Sequence, residues 1–207
     1  MGGTITWREE WKRSYESIWS LIENIKISNS INGNELFQYM NENNTIKSLR
    51  NVNKLSDEAL NKLNELTNID FFEIKTTMLK LSKLDRHNPL YYFSSRLRYC
   101  EICIQYNYHS YLHQYRLIDV CPFHLTELKT KCNYCRKDIF YYNIAKDIPF
   151  TCKCGIQLYQ TFYEPVWINW SLFEPILELS FICHNYDLIK KYLPILTTTS
   201  RLNPEVK

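Results

Sequence analysis

The sequence predicts a mainly α chain in which two small ligand-stapled units with short β elements lie between helical segments. Three observations predict it. Apolar residues recur at spacings of three and four on both sides of the chain's centre, as helices with one buried face require. Only 4 of 207 residues are Gly, too few for a loop-rich all-β fold. Four close pairs of Cys and His lie in one stretch: Cys100-x2-Cys103, Cys121-x2-His124, Cys132-x2-Cys135 and Cys152-x-Cys154.

Residues 1–95 are expected to form an N-terminal helical domain. From Glu9 to Asn29, the residues Trp11, Tyr15, Ile18, Trp19, Ile22 and Ile25 make one stripe, so a single helix is expected there. Asn32-Gly33-Asn34 breaks that pattern. A short helix is expected from Glu35 to Glu42, and the Asn-rich stretch Asn41 to Asn53 reads as a loop. Ser56 is a good N-cap for a helix carrying Leu60, Leu63 and Leu66. A second helix starts near Asp70, with Thr67 as candidate cap, and carries Phe71, Phe72, Ile74, Met78, Leu79 and Leu81. By pattern this pair is either an ordinary αα-hairpin or a helix-turn-helix, and pattern alone favours the hairpin. Residues 96–160 hold the ligand pairs. Residues 161–196 are expected to be helical, with Trp167, Trp170, Leu172, Phe173, Ile176, Leu177 and Phe181 as the apolar set. Residues 197–207 read as a disordered tail.

Hydrophobic and charged shares of 45% and 23% are those of an ordinary soluble protein. Residues 1–30 carry scattered charge and lack the apolar stretch of a secretory signal. No apolar run approaches the ~20 residues that a membrane span needs. A cytoplasmic protein without membrane contact is therefore expected, and close Cys pairs in a reducing compartment bind metal.

A Cys-x2-Cys turn offers two sulfurs to one zinc, and a second turn completes a closed structural site. The eight paired ligands fill two zinc sites. Sequential pairing gives Cys100, Cys103, Cys121 and His124 for the first, and Cys132, Cys135, Cys152 and Cys154 for the second. The intervals agree, with 17 residues between Cys103 and Cys121 and 16 between Cys135 and Cys152. Crossed pairing satisfies the spacing too, but sequential pairing needs only local loop closure. Gly155, directly after Cys154, suits a positive φ beside the sulfurs. A catalytic zinc keeps an open position, so two complete sets argue against an enzyme.

The other near-ligands fit less well. His109 and His113 have Ser110 where a metalloprotease has Glu, and they read as surface or packing histidines or as contacts to a partner or phosphate. Cys183-His184 has no second pair to join, and reads as a buried helix thiol. His87 reads as a turn residue before Asn88-Pro89.

The formal charge of +3 hints at an acidic partner. Seven ligand thiolates and two divalent ions would bring it to zero, so nucleic-acid binding needs a local patch. Lys129, Lys131, Arg136 and Lys137 beside the second site are the candidate phosphate contacts, with Lys153 close by. Arg96, Arg98 and Arg116 lie near the first site. A plain solvated surface accounts for the same composition, and Tyr residues in the fingers suit either base stacking or a small core.

Taken in order, Arg98-Tyr99-Cys100-x2-Cys103, a Tyr/His-rich segment, Asp119-Val120-Cys121-Pro122-x-His124, Leu128, Cys132-x2-Cys135 and Cys152-x-Cys154-Gly155 resemble the TniQ/TnsD family. These are target-selection proteins of bacterial transposons. Leu63-Asn64-Glu65-Leu66-Thr67-Asn68-Ile69-Asp70, with Glu73-Ile74 and Thr77-Met78-Leu79, resembles that family's helix-turn-helix stretch, and Glu16-Ser17-x3-Leu21 its opening helix. The resemblance spans residues 14–160 approximately. Glu101 departs from the family's usual Pro, and Tyr115-Arg116-Leu117 lacks its usual Trp.

The resemblance implies a mainly α fold with small zinc-finger β elements. In chain order it has a helix-turn-helix-like domain and then two tandem zinc fingers with sequential ligand pairing. It implies two zinc ions and a targeting adaptor that links a recognition element to a AAA+ transposition ATPase. That element is DNA in some systems and a CRISPR effector with guide RNA in others. The alternative is a zinc-stabilised protein–protein adaptor without direct nucleic-acid contact.

Overall fold

The computed structural model describes residues 5–40, 55–82, 93–116, 118–139 and 148–158. Helices dominate this part. They are α1 (Ile18–Asn29), α2 (Gly33–Met40), α3 (Asp57–Thr67), α4 (Phe71–Ser82) and the short α5 (Glu101–Gln105), with 3-10 turns at Glu9–Trp11 and Tyr111–Gln114. The β content among the described residues is confined to isolated antiparallel bridges, four of which lie wholly within the ligand-bearing region. No helix among these residues is long and apolar enough to cross a membrane.

Helix α1 begins at Ile18, nine residues later than the periodicity predicts, because the preceding backbone is committed elsewhere. Tyr15 has φ 59°, which ends any helix running through it. Its carbonyl accepts from Tyr111 N at 3.1 Å, and Ser17 N donates to His109 O at 2.8 Å. The Tyr108 hydroxyl donates to Ser14 O at 2.8 Å. Residues 14–17 thus turn at Tyr15 and lie along 108–111, and Ser17 caps α1 by accepting from Ser20 N. A single stripe does not describe α1 either. Ile18, Trp19, Leu21, Ile22, Glu23, Ile25 and Lys26 are all buried, so the helix is enclosed on most sides.

Asn32-Gly33-Asn34 starts the next helix rather than merely ending the last. Asn32 Oδ1 accepts from Asn34 N and Glu35 N at 2.9 and 3.0 Å, while Glu35 Oε2 accepts from Asn32 N at 2.7 Å, a reciprocal cap. The expected loop at 41–53 lies outside the described residues.

Ser56 caps α3 as predicted, accepting from Ala59 N at 3.3 Å, and Ala59, Leu60 and Leu63 are buried. Asn68 closes α3 at φ 58°. The cap of α4 is Asp70, not Thr67. Asp70 Oδ1 accepts from Glu73 N at 2.8 Å. Thr67 is the last residue of α3, and its hydroxyl donates back to Leu63 O at 2.7 Å. Asn64 Oδ1 reaches across the turn to accept from Phe71 N at 2.9 Å. Helix α4 packs on both α3 and α1, and α2 packs on α3. Ile69, Phe71 and Ile74 carry this packing into a core that runs through Trp19 to the ligand-bearing region.

That continuity is specific. Trp19 meets His109 edge-on at 5.2 Å and Phe150 at 5.1 Å. Glu23 Oε2 accepts from Phe150 N at 2.9 Å and Oε1 pairs with Lys26 at 2.8 Å, all well buried. Arg13, buried against Glu16 at 2.7 Å, donates to the carbonyls of Tyr106 and Asn107 and lies 4.9 Å over the Tyr108 ring. One end of α1 therefore holds the first ligand region, and its middle holds the second.

Candidate metal centre

The four ligand pairs sit on tight turns, three of which share one construction. Leu125 N donates to Cys121 O, Arg136 N to Cys132 O and Gly155 N to Cys152 O, at 2.8 to 3.0 Å. The residue after the second ligand takes positive φ each time: 54° at Leu125, 59° at Arg136 and 84° at Gly155. A Cβ on Gly155 would meet nothing within 4 Å, so glycine is favoured there by φ and not by space. The first pair differs. Cys100 precedes α5 and Cys103 lies in it, so a helical turn brings the two sulfurs together.

These turns assemble two complete sets, and they pair sequentially. Cys100, Cys103, Cys121 and His124 form one; Cys132, Cys135, Cys152 and Cys154 form the other; within each, the ligand atoms lie within 4.8 Å of one another. In the first set Cys103 Sγ and Cys121 Sγ are 3.6 Å apart, and His124 Nδ1 is 3.5, 3.3 and 3.6 Å from Cys100, Cys103 and Cys121. In the second, Cys132–Cys154 and Cys135–Cys152 are 3.8 and 3.7 Å apart. Metal–sulfur bonds of about 2.3 Å give a tetrahedral edge of about 3.8 Å, and a sulfur–imidazole edge of about 3.6 Å. The distances match those edges. A disulfide, at about 2.05 Å, is excluded for the seven described cysteines.

The two sets differ in depth. Cys100, Cys103 and Cys121 are wholly buried, whereas Cys135 is half-buried and Cys154 exposed. Proximity also splits the thiol acidities. Hydrogen bonds from Cys103 and Cys121 hold Cys100 far below the usual range, burial pushes Cys103 far above it, and the Cys100 hydrogen bond pushes Cys121 up to about 12. At Cys132, burial acts upward but is outweighed by the Cys135 and Tyr134 amides and neighbouring sulfurs, which bring it to about 7. Burial pushes Cys152 up to about 12.

His113 is the residue that the sequence did not single out as part of this centre. It is wholly buried, with Nε2 3.4 Å from Cys121 Sγ and 3.9 Å from Cys103 Sγ. Its Nδ1 accepts from Ser110 N at 3.4 Å, so Nε2 carries the hydrogen and donates to sulfur. The signal was present as Ser110-x2-His113, a capping box that fixes the ring. Thr126 Oγ1, 3.2 Å from Cys100 Sγ, is a second such support. His109 is also wholly buried, not at the surface. Its Nε2 donates to Arg98 O at 2.9 Å and its Nδ1 meets Ser17 Oγ at 2.8 Å. Burial brings its pKa down to about 4 and also lowers that of His113, so both are neutral packing residues out of a partner's reach.

The basic residues divide by environment. Arg98 is not a surface cation: it is buried and donates to Tyr115 O, Ile118 O and Asp119 Oδ1 at 2.9, 2.6 and 3.0 Å. Arg96 meets Asp138 at 3.4 Å. Lys129 is paired with Glu101 at 2.7 Å, beside Asn133. Lys131, Arg136, Lys137 and Lys153 are exposed on the second finger. His87, Cys183 and His184 lie outside the described residues. Comparison of the chain with protein-family models and with curated proteins gives no match.

Proposed function

We propose that the chain is a zinc-rigidified, TniQ-like targeting adaptor that links a recognition element, DNA or a guide-RNA effector, to a AAA+ transposition ATPase. The observation that carries this reading is the tandem, sequential arrangement of two complete ligand sets in the order of the family's motif. Zinc is the ion that best suits thiolate-rich tetrahedra with edges of 3.6 to 3.8 Å. Four protein ligands per ion leave no position for substrate water, which supports a recognition module over a zinc enzyme. The α3–α4 pair, joined by residues 68–70, supports the helix-turn-helix part of the resemblance.

A second reading, a protein–protein adaptor without nucleic-acid contact, is favoured by Leu125. It is 62% exposed and holds φ 54° at a turn where Gly or Asn is cheaper, so an apolar side chain is displayed at a conformational cost.

The test is targeted integration in a heterologous host that supplies the transposase, the ATPase and the guide effector, if any, encoded beside this chain. Integration at the chosen site should need this chain and should fail with Cys103→Ser. Unchanged integration without the chain, and no binding of the purified ATPase, would overturn the reading. Elemental analysis should find two zinc ions per chain.

A further inference from the structure

We propose that the outer face of the second finger binds single-stranded nucleic acid, with Tyr134 stacking on an unpaired base and Lys131, Arg136, Lys137 and Lys153 holding the flanking phosphates. The inference rests on the zinc reading of the second ligand set, and within the targeting role it names the contact and its chemistry.

Four observations carry it. Tyr134 is 73% exposed, the highest value among the described large hydrophobic residues, although it sits between two ligands of a rigid turn. That turn is fixed on both sides: Cys132 N donates to Lys137 O and Arg136 N to Cys132 O, both at 3.0 Å, and the Asn133 amide donates to Glu101. A stacking platform needs such rigidity, because it orders little on binding. The cations have no carboxylate partner among the described residues. Glu101 is engaged by Lys129 and Asn133, Asp138 is engaged by Arg96, and among the described residues no acid pairs with Lys131, Arg136, Lys137 or Lys153. Arg136 also occupies a positive-φ position, 59°, whose equivalent in the fourth ligand pair is Gly155. A guanidinium is kept there against conformational preference.

Occupancy by a strand follows from the combination. An exposed π-face on a fixed turn whose finger also displays four exposed cations, three of them within three residues of Tyr134, suits alternating bases and phosphates, and a lone base can stack only where it is not already stacked in a duplex. The competing explanation is that the cations only offset the two negative charges of a zinc bound by four thiolates. That explanation predicts a role in metal retention and none for Tyr134.

The experiment uses the full, zinc-loaded chain with fluorescent twelve-nucleotide single strands, the matching duplex and an acidic peptide. Single strands should bind best. Tyr134→Ala should weaken them by about 5- to 150-fold, Tyr134→Phe should bind nearly as wild type, and both variants should retain two zinc ions. The slope of log affinity against log salt should be about −3 for four phosphate contacts, and shallower by about 0.7 for each cation replaced by Ala. Equal binding by Tyr134→Ala, a preference for duplex or for acidic peptide, or cation variants that lose zinc while binding unchanged would each overturn the proposal. If strand binding is absent while integration still needs the chain, this inference falls and the targeting role stands. If Tyr134-dependent binding holds while integration ignores the chain, the reverse follows.

Discussion

Replacing Glu23 by Met tests how helix α1 and the second ligand set hold each other. The Glu23 carboxylate has two partners, Lys26 Nζ at 2.8 Å and Phe150 N at 2.9 Å, with side-chain exposures of 4% for Glu23 and 1% for Lys26. Met keeps the volume, so the loss is electrostatic rather than a cavity. A buried ammonium left without its carboxylate costs about 3–5 kcal/mol. An amide left without an acceptor costs about 1–3 kcal/mol, and the two losses share one carboxylate, so they overlap. The single variant should therefore lose about 4–6 kcal/mol.

Lys26→Met should lose less. Burial already pushes the Glu23 carboxyl up in pKa against the Lys26 charge, so without that charge the carboxyl protonates and still accepts from Phe150. The double variant, Glu23→Met with Lys26→Met, exchanges an ion pair for an apolar pair and should retain only the Phe150 loss, about 1–3 kcal/mol. Urea unfolding with saturating zinc, read by tryptophan emission, reports the differences; Trp19 lies 5.1 Å from Phe150. Competition with a chromophoric chelator should show faster metal release from the second set alone, since Phe150 is two residues from Cys152. A double variant no more stable than Glu23→Met would refute the ion pair. A double variant equal to wild type would refute any contribution from the Phe150 bond.

Three further outcomes are expected. Since burial brings His109 down to about 4, the unfolded chain holds more protons than the native one between about 4 and 6.5, and native stability falls as pH drops through that window. His109→Gln should remove up to about 3 kcal/mol of that fall in urea unfolding; identical pH profiles would contradict it. His113→Ala should weaken metal binding at the first set by about 10- to 100-fold in chelator competition and leave the second unchanged. Under the proposed zinc reading, Cys132→Ser should reduce the metal content from two ions per chain to one, by elemental analysis, with the first set still loaded.

Ligand pairing was legible because each turn is local: the residues that make a pair are neighbours in sequence, and so are the residues that close it. Ser56 was legible for the same reason. The start of α1 was not. Trp11 and Tyr15 continue a helical period, but the backbone of residues 14–17 bonds to a segment near residue 110, and period cannot register a partner so far along the chain. Charge was legible at Arg98 and Lys129, but its availability was not. Arg98 became a buried clamp on three carbonyl and carboxylate oxygens, and Lys129 met Glu101, through contacts that exist only once the fingers are folded.

The two ligand sets consequently do different work. The first is an extension of the core: its sulfurs are buried, His113 and Thr126 support them, and His109 and Arg13 tie the surrounding chain to α1. A substitution there acts on the whole fold. The second set also meets that core, through Phe150 against Trp19 and Glu23 and through Ile139 and Lys131 against Leu97 and Tyr99, while Tyr134, Arg136, Lys137, Lys153 and Cys154 are exposed. Substitutions at those exposed residues leave the buried contacts of the second set in place. Exposed residues of the second finger can therefore be varied while the first set holds the scaffold constant, and variants of Tyr134 and its cations can separate the proposed strand binding from folding in a way that no variant of the first set can.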